Sequence, residues 1–148
     1  MLARPQPYPG NPAYLATVFL ADRPPGGWPE RFAVITACNP VGNRQASPEE
    51  NQRANARLLG ALRAAGHAPF AVTGASPDLA HQEPGWGFAC ETPDLPARVA
   101  ADFDQDAFFW IEHGRIFLAC DASGHGWPVA DWAERLTGLK PPPAAGTT

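Results

Sequence analysis

Cysteine is scarce in this chain of 148 residues: Cys38, Cys90 and Cys120 are odd in number, far apart, and each lies in or beside an apolar run. That distribution argues against a disulfide framework and against the paired spacing of a zinc cluster. The three read as reduced, partly buried thiols of a cytoplasmic protein. Long apolar runs are absent as well, and no stretch approaches the ~20 residues a membrane helix needs. The Pro-rich N-terminus has no positive region leading into an apolar core, so a signal peptide is not expected. Positive charge is also in short supply: 11 Lys and Arg stand against 15 Asp and Glu, for a net charge of −4. With no basic tail or run, general nucleic-acid binding is disfavoured, because phosphate contacts need a concentrated cationic surface. Finally, the chain has no P-loop spacing, no G-x-G-x-x-G after a strand and no G-x-S-x-G elbow. Nucleotide hydrolases of the common types and α/β-hydrolases are disfavoured accordingly, and no cofactor is implied.

What is present suits one α+β domain. With 45% hydrophobic content the chain can build a single core but not two comfortable ones. Its 18 prolines and 14 glycines gather at the ends and between elements. The expected division is an irregular lead over residues 1–12, a domain over 13–138 and a flexible Pro-rich tail over 139–148. The firmest local signal is a helix opening at Ser47, where Ser47, Pro48 and Glu50 supply the N-cap, first position and third position of a capping box, and Gly66 supplies a stop. At about 100° per residue, Asn51, Asn55, Leu58 and Leu62 form one stripe, with Arg53, Arg57 and Arg63 opposite. The two asparagines are therefore predicted to face inward, either to tie down the preceding loop or to read a ligand.

In chain order, Tyr14–Ala21 reads as a strand and Phe32–Ala37 as a central one. After the helix come short strands at Pro69–Thr73 and Trp86–Glu91, separated by a loop from Gly74 to Pro84. Thr92-Pro93 opens a second helix carrying Leu95, Val99 and Phe103 on one side. Ala107–Glu112 and Arg115–Cys120 form a hairpin around His113-Gly114, and Val129–Leu136 gives a last helical turn or two. From the second strand the order is βαββαβ, the ferredoxin-like split βαβ pattern, with two helices on a mainly antiparallel sheet and an extra strand at each end. Right-handed crossovers then bring Asn39–Ser47, His81–Glu83 and Gln105-Asp106 to one edge of the sheet, with Cys120-Asp121, while Glu112-His113 lies at the other.

The strings F-A-V-I-T-A-C-N-P, S-P-E-E-N-Q-R-A-N, G-A-S-P-D-L-A-H-Q-E-P and F-D-Q-D-A-F-F-W, in this order between Phe32 and Cys120, resemble the pattern of a bacterial family labelled domain of unknown function 3293. The resemblance implies no established activity. It does direct attention to Asn39, Asn51, Asn55, His81, Glu83, Gln105 and Asp106, the polar positions within the matching strings. Cys38 stands where relatives would carry an aromatic or other residue, which counts against a shared cysteine nucleophile.

His81 and Glu83 are two apart, so in extended backbone both side chains point to one face, and Pro84 favours that geometry. They suit an acid/base pair, and with Asp106 they form the candidate catalytic set. The same three side chains also suit a metal ion, but no metal-binding spacing supports that reading. The Asn39–Ser47 loop, with Gly42 for close approach and Arg44 for charge, approaches a helix N-terminus and could hold an anion. Asn39, Gly42, Arg44, Asn51, Asn55 and Gln105 are the candidate ligand contacts. Cys38 beside Asn39 could act as a thiolate if His81 and the helix dipole lowered its pKa. The glycine-flanked loop Gly124-His125-Gly126-Trp127 reads as a mobile flap. Two functions fit. One is a small-molecule-binding domain or small enzyme, with acid/base hydrolytic chemistry on an anionic or amide-bearing ligand. The other is a non-catalytic interaction or regulatory domain whose polar cluster is structural and whose exposed strand edge meets a protein partner.

Overall fold

The structure is a computed structural model that describes residues 8–122 and 126–137. The expected tail, most of the N-terminal lead and the Gly124-His125 part of the expected flap lie outside the described residues. Helix α1 spans Pro48–Ala64 and begins as its local chemistry dictates: the Ser47 hydroxyl accepts from the Glu50 N–H, and the Glu50 carboxylate accepts from the Ser47 N–H. It stops before Gly66, whose φ of 93° only glycine adopts without strain. Ala54, Asn55, Leu58 and Leu62 are its buried residues, so the inward stripe holds from Asn55 onward, while Asn51 at its start is only half-buried.

Seven strands follow the chain as β1 (Val18–Leu20), β2 (Arg31–Thr36), β3 (Phe70–Ala75), β4 (Gln82–Ala89), β5 (Phe108–Glu112), β6 (Arg115–Ala119) and β7 (Trp127–Asp131). They form one antiparallel sheet in the order β1-β3-β4-β2-β5-β6-β7. Helices α2 (Asp94–Asp102) and α3 (Trp132–Arg135) complete the α+β architecture. The β5–β6 hairpin turns at His113-Gly114, both at positive φ as its two-residue loop demands.

Three expectations change. Tyr14–Ala21 is not one strand: Pro12–Ala16 is a 3-10 turn capped by the Asn11 side chain, and only Val18–Leu20 pairs, with β3. Val129 belongs to strand β7 rather than to the final helix, because Trp127–Asp131 pairs with β6. The loop expected from Gly74 to Pro84 is much shorter, since β3 and β4 keep pairing from Phe70↔Gly87 to Ala75↔Gln82. Pro84 is tolerated inside β4 because the pairing with β2 ends at Thr36↔Gly85, one residue earlier, so its missing N–H has no ladder partner to lose.

Strand alternation separates two cores. Ala33, Ile35, Phe88, Phe108 and Trp110 face one side, where Leu58 and Leu62 of α1 and Val99 of α2 cover them. Phe32, Val34, Val72, Ile111 and Ile116 face the other, packed with Phe19 and Trp132. On that side the sheet curls until its ends nearly meet: Leu136, just beyond α3, bridges Phe19 of β1, and the Thr137 N–H donates to the Phe19 carbonyl at 2.8 Å. The Arg135 guanidinium ties the same seam by donating to the carbonyls of Leu15 and Thr17. No described helix is long and apolar enough to cross a membrane.

Candidate functional site

The curl leaves a cavity of about 580 Å³ on the concave face. Its floor follows from register. Phe19 pairs with Gly74, Val72 with Gly85, and Phe109 with Leu118, so each pair points the same way, into the concave side. Val34 joins them from β2. Gly74 and Gly85 both line the cavity. A Cβ on Gly85 would collide with the Ile35 carbonyl oxygen, so that glycine is required by close backbone approach. A Cβ on Gly74 would meet only the Thr17 methyl, at 3.5 Å, so that glycine simply leaves space.

The rim is polar, and it gathers Asn39, Arg44, His81, Glu83, Gln105 and Asp106 from three separate stretches of chain. Glu83 is the partner of Gly74 across β3–β4, so it shares the concave face while standing nearer the strand end. His81 Nε2 lies 3.0 Å from Glu83 Oε2, and Asn39 Nδ2 donates to the same oxygen at 3.0 Å. The Glu83 side chain is 22% exposed and that of His81 68%, so the carboxylate is set into the wall and the imidazole stands at the mouth. Asn39 is held in turn: its φ of 48° is a left-handed conformation that asparagine tolerates, and its N–H donates to Asn51 Oδ1 at 2.9 Å. Arg44 Nη2 donates to Asp106 Oδ2 at 3.0 Å, and Gln105 Nε2 donates to the Cys38 carbonyl at 3.1 Å. Along the open side runs the segment from Asn11 to Thr17, which contributes Tyr14 to the lining.

The expected site residues thus divide. His81, Glu83, Asp106, Asn39, Arg44 and Gln105 line the cavity together. Asn51 and Asn55 do not: they border a second, more open space of about 600 Å³ beside α1, with Leu59 and Trp86, where His81 and Asn39 also show. Their amides are committed to the β2–α1 loop. Asn55 Oδ1 accepts from the Ala37 N–H at 2.9 Å, and its Nδ2 donates to the Pro84 carbonyl at 2.8 Å and to Cys38 Sγ at 3.2 Å. Asn51 Nδ2 donates to Asn39 Oδ1 at 3.2 Å. Gly42 has its positive φ of 95° in the exposed loop and lines neither space. Arg44 is half exposed and paired with Asp106.

Among the described residues, no three His, Cys, Asp or Glu side chains stand close enough to share a metal ion. Asp106, the third member of that set, is turned to Arg44 instead. Cys38 is 4% exposed, and burial pushes its thiol pKa up, against the smaller opposing effects of Thr36 and Asn55. Its polar contacts are the Pro84 carbonyl and the Asn55 amide, with no contact to His81, so the thiolate reading fails. Cys120, by contrast, is exposed rather than partly buried.

Sequence reasoning missed the floor and Tyr14. The floor depends on curl and on pairing between distant strands, which no local spacing encodes. A usable signal for part of it was present: Gly74 and Gly85 interrupt apolar strand patterns, the mark of space or close approach. The family model described as "Protein of unknown function (DUF3293)" matches residues 35–108, half of the chain, which includes His81, Glu83, Asp106 and both asparagines. No curated protein and no solved structure matches the chain.

Proposed function

The chain belongs to the DUF3293 family, and from that premise and its geometry we propose that it binds a small molecule in the concave cavity and transfers a proton to or from it through His81 and Glu83. The observation that carries the reading is the conjunction of a half-open, largely apolar cavity with a His–carboxylate pair at its rim. A volume of about 580 Å³ lies within the ~300–1,000 Å³ range of ligand pockets. Glu83 accepts from Nε2, so the neutral imidazole keeps its proton there and presents Nδ1 as the base. When Nδ1 takes a proton, the Glu83 carboxylate stabilises the imidazolium, and Asn39 holds that carboxylate in place. A base so arranged suits deprotonation of water beside an amide-bearing ligand, hence hydrolysis, with Asp106 as the second carboxylate of the site.

We read the architecture as a ferredoxin-like split βαβ. The spatial order β3-β4-β2-β5, with α1 and α2 both packed on one face, supports that reading, with β1, β6 and β7 as extensions. The second reading, a non-catalytic interaction domain, is favoured by the asparagines, whose amides are satisfied by the protein itself. Against it, Val41 is the only large apolar side chain classed as exposed among the described residues, which leaves little for a protein partner to cover.

A fragment screen read by methyl NMR separates the two. Ligands that shift the methyls of Val34, Val72 and Leu118 support the cavity, and turnover of an arylalkyl amide that disappears in His81→Ala while binding persists supports the proton-transfer role. Hits confined to Leu59, or none at all, would move the assignment to the interaction domain.

A further inference from the structure

Resting on the reading of the concave cavity as a ligand site, we infer that its ligand is a cationic amphiphile, an aryl-sized apolar body bearing an ammonium head. The apolar half follows from the floor of Phe19, Val34, Val72, Phe109 and Leu118, which offers a ligand body no hydrogen bond from a side chain.

The cationic half follows from what the rim has left over. Glu83 uses Oε2 for both His81 and Asn39, and its Oε1 accepts nothing among the described residues. Asp106 uses Oδ2 for Arg44, and its Oδ1 is likewise without a donor among the described residues. Gln105 gives its NH₂ to the carbonyls of Cys38 and Phe103, which leaves its Oε1 as a third acceptor. These three acceptors, left to solvent at one rim, are matched by a head that brings donors, and an ammonium brings three with no acceptor of its own. Formal charge agrees: two carboxylates face one guanidinium at the rim. A neighbouring proton responds to that field. The Tyr14 phenol is held protonated first by burial and then by Asp106 and Glu83. An anionic head would meet carboxylate oxygens with no free guanidinium to receive it.

The test is a calorimetric titration of the full chain with three probes of one shape: phenylbutylamine, phenylbutanol and phenylbutyrate. The amine should bind ~10-fold tighter than the alcohol, equivalent to one favourable charge contact, and the carboxylate weakest. The advantage of the amine should shrink as salt rises, while the affinity of the alcohol should not. In Glu83→Gln the amine should fall to the level of the alcohol, with alcohol binding retained as proof that the cavity is intact. If the alcohol binds at least as well as the amine, or the carboxylate binds best, the ligand charge is wrong while the cavity reading stands. If none of the three binds, both fall.

Discussion

Asn55 is the sharpest place to test how the loop that carries Asn39 is held. The residue is 8% exposed, and Asn55→Leu keeps its volume roughly while removing an acceptor from the Ala37 N–H and a donor from the Pro84 carbonyl. These losses are unequal. The Pro84 carbonyl still accepts from the Thr36 hydroxyl at 2.6 Å, whereas Ala37, 1% exposed, has no second acceptor for its N–H in the buried loop. One stranded buried N–H costs about 1–3 kcal/mol, and the weakened carbonyl adds little, so about 2 kcal/mol is expected. For a domain of this size that lowers Tm by roughly 8 °C, readable by urea titration and by thermal denaturation followed by circular dichroism. Asn51→Leu should cost less, because Asn39, its partner, is only half-buried and water can reach the freed N–H. If Asn55→Leu is neutral or stabilising, the amide is not a structural clamp and the case for a ligand contact at that position returns.

Thiol reactivity gives a second check: in the native protein Cys120 should be alkylated first, Cys38 only on unfolding. Both pKa values are raised, so even Cys120 should react more slowly than free cysteine at neutral pH and speed up as pH climbs past the usual thiol range. Rapid labelling of Cys38 in the folded chain would revive it as a nucleophile. Ser47→Ala should cost about 1 kcal/mol by removing the N-cap of α1. The Glu50 pKa is depressed below its usual 4.5, mainly by the Ser47 N–H. Its contribution is therefore present above that value and is lost as pH falls through the depressed one, so the Glu50→Gln and wild-type stability curves should converge in acid.

The parts of this molecule that could be read from sequence are those whose causes are local. Ser47, Pro48, Glu50 and Gly66 start and stop α1 by hydrogen bonds within a few residues, and the stripe through Asn55, Leu58 and Leu62 is buried as its spacing requires. The gathering of His81, Glu83, Asn39, Gln105 and Asp106 was also legible, because handed crossovers dictate which strand ends share an edge. The rest was set by tertiary pairing. Gly74 and Pro84 are poor strand formers, so the segment between them reads as a loop, yet β3 and β4 pair through it because cross-strand contacts outweigh propensity. Pairing places Glu83 on a strand, opposite Gly74, and that register turns it to the cavity. The division of labour among the asparagines was beyond reach for the same reason: whether an inward amide meets backbone or ligand depends on where the Pro84 carbonyl lies.

Gly74→Val tests the central claim most directly. Its Cβ would point into the cavity from β3 and meet only the Thr17 methyl, at 3.5 Å, so a valine fills ligand space without clashing with the backbone. Strand propensity favours valine over glycine, so Tm should hold or rise. Phenylbutanol, uncharged and therefore independent of the inference about ligand charge, is the probe, with Val72 and Leu118 methyl shifts as the readout. The account predicts that wild type binds it in the cavity and that Gly74→Val, still folded, does not. Undiminished binding in Gly74→Val, with the shifts at Leu59 beside α1, would contradict it.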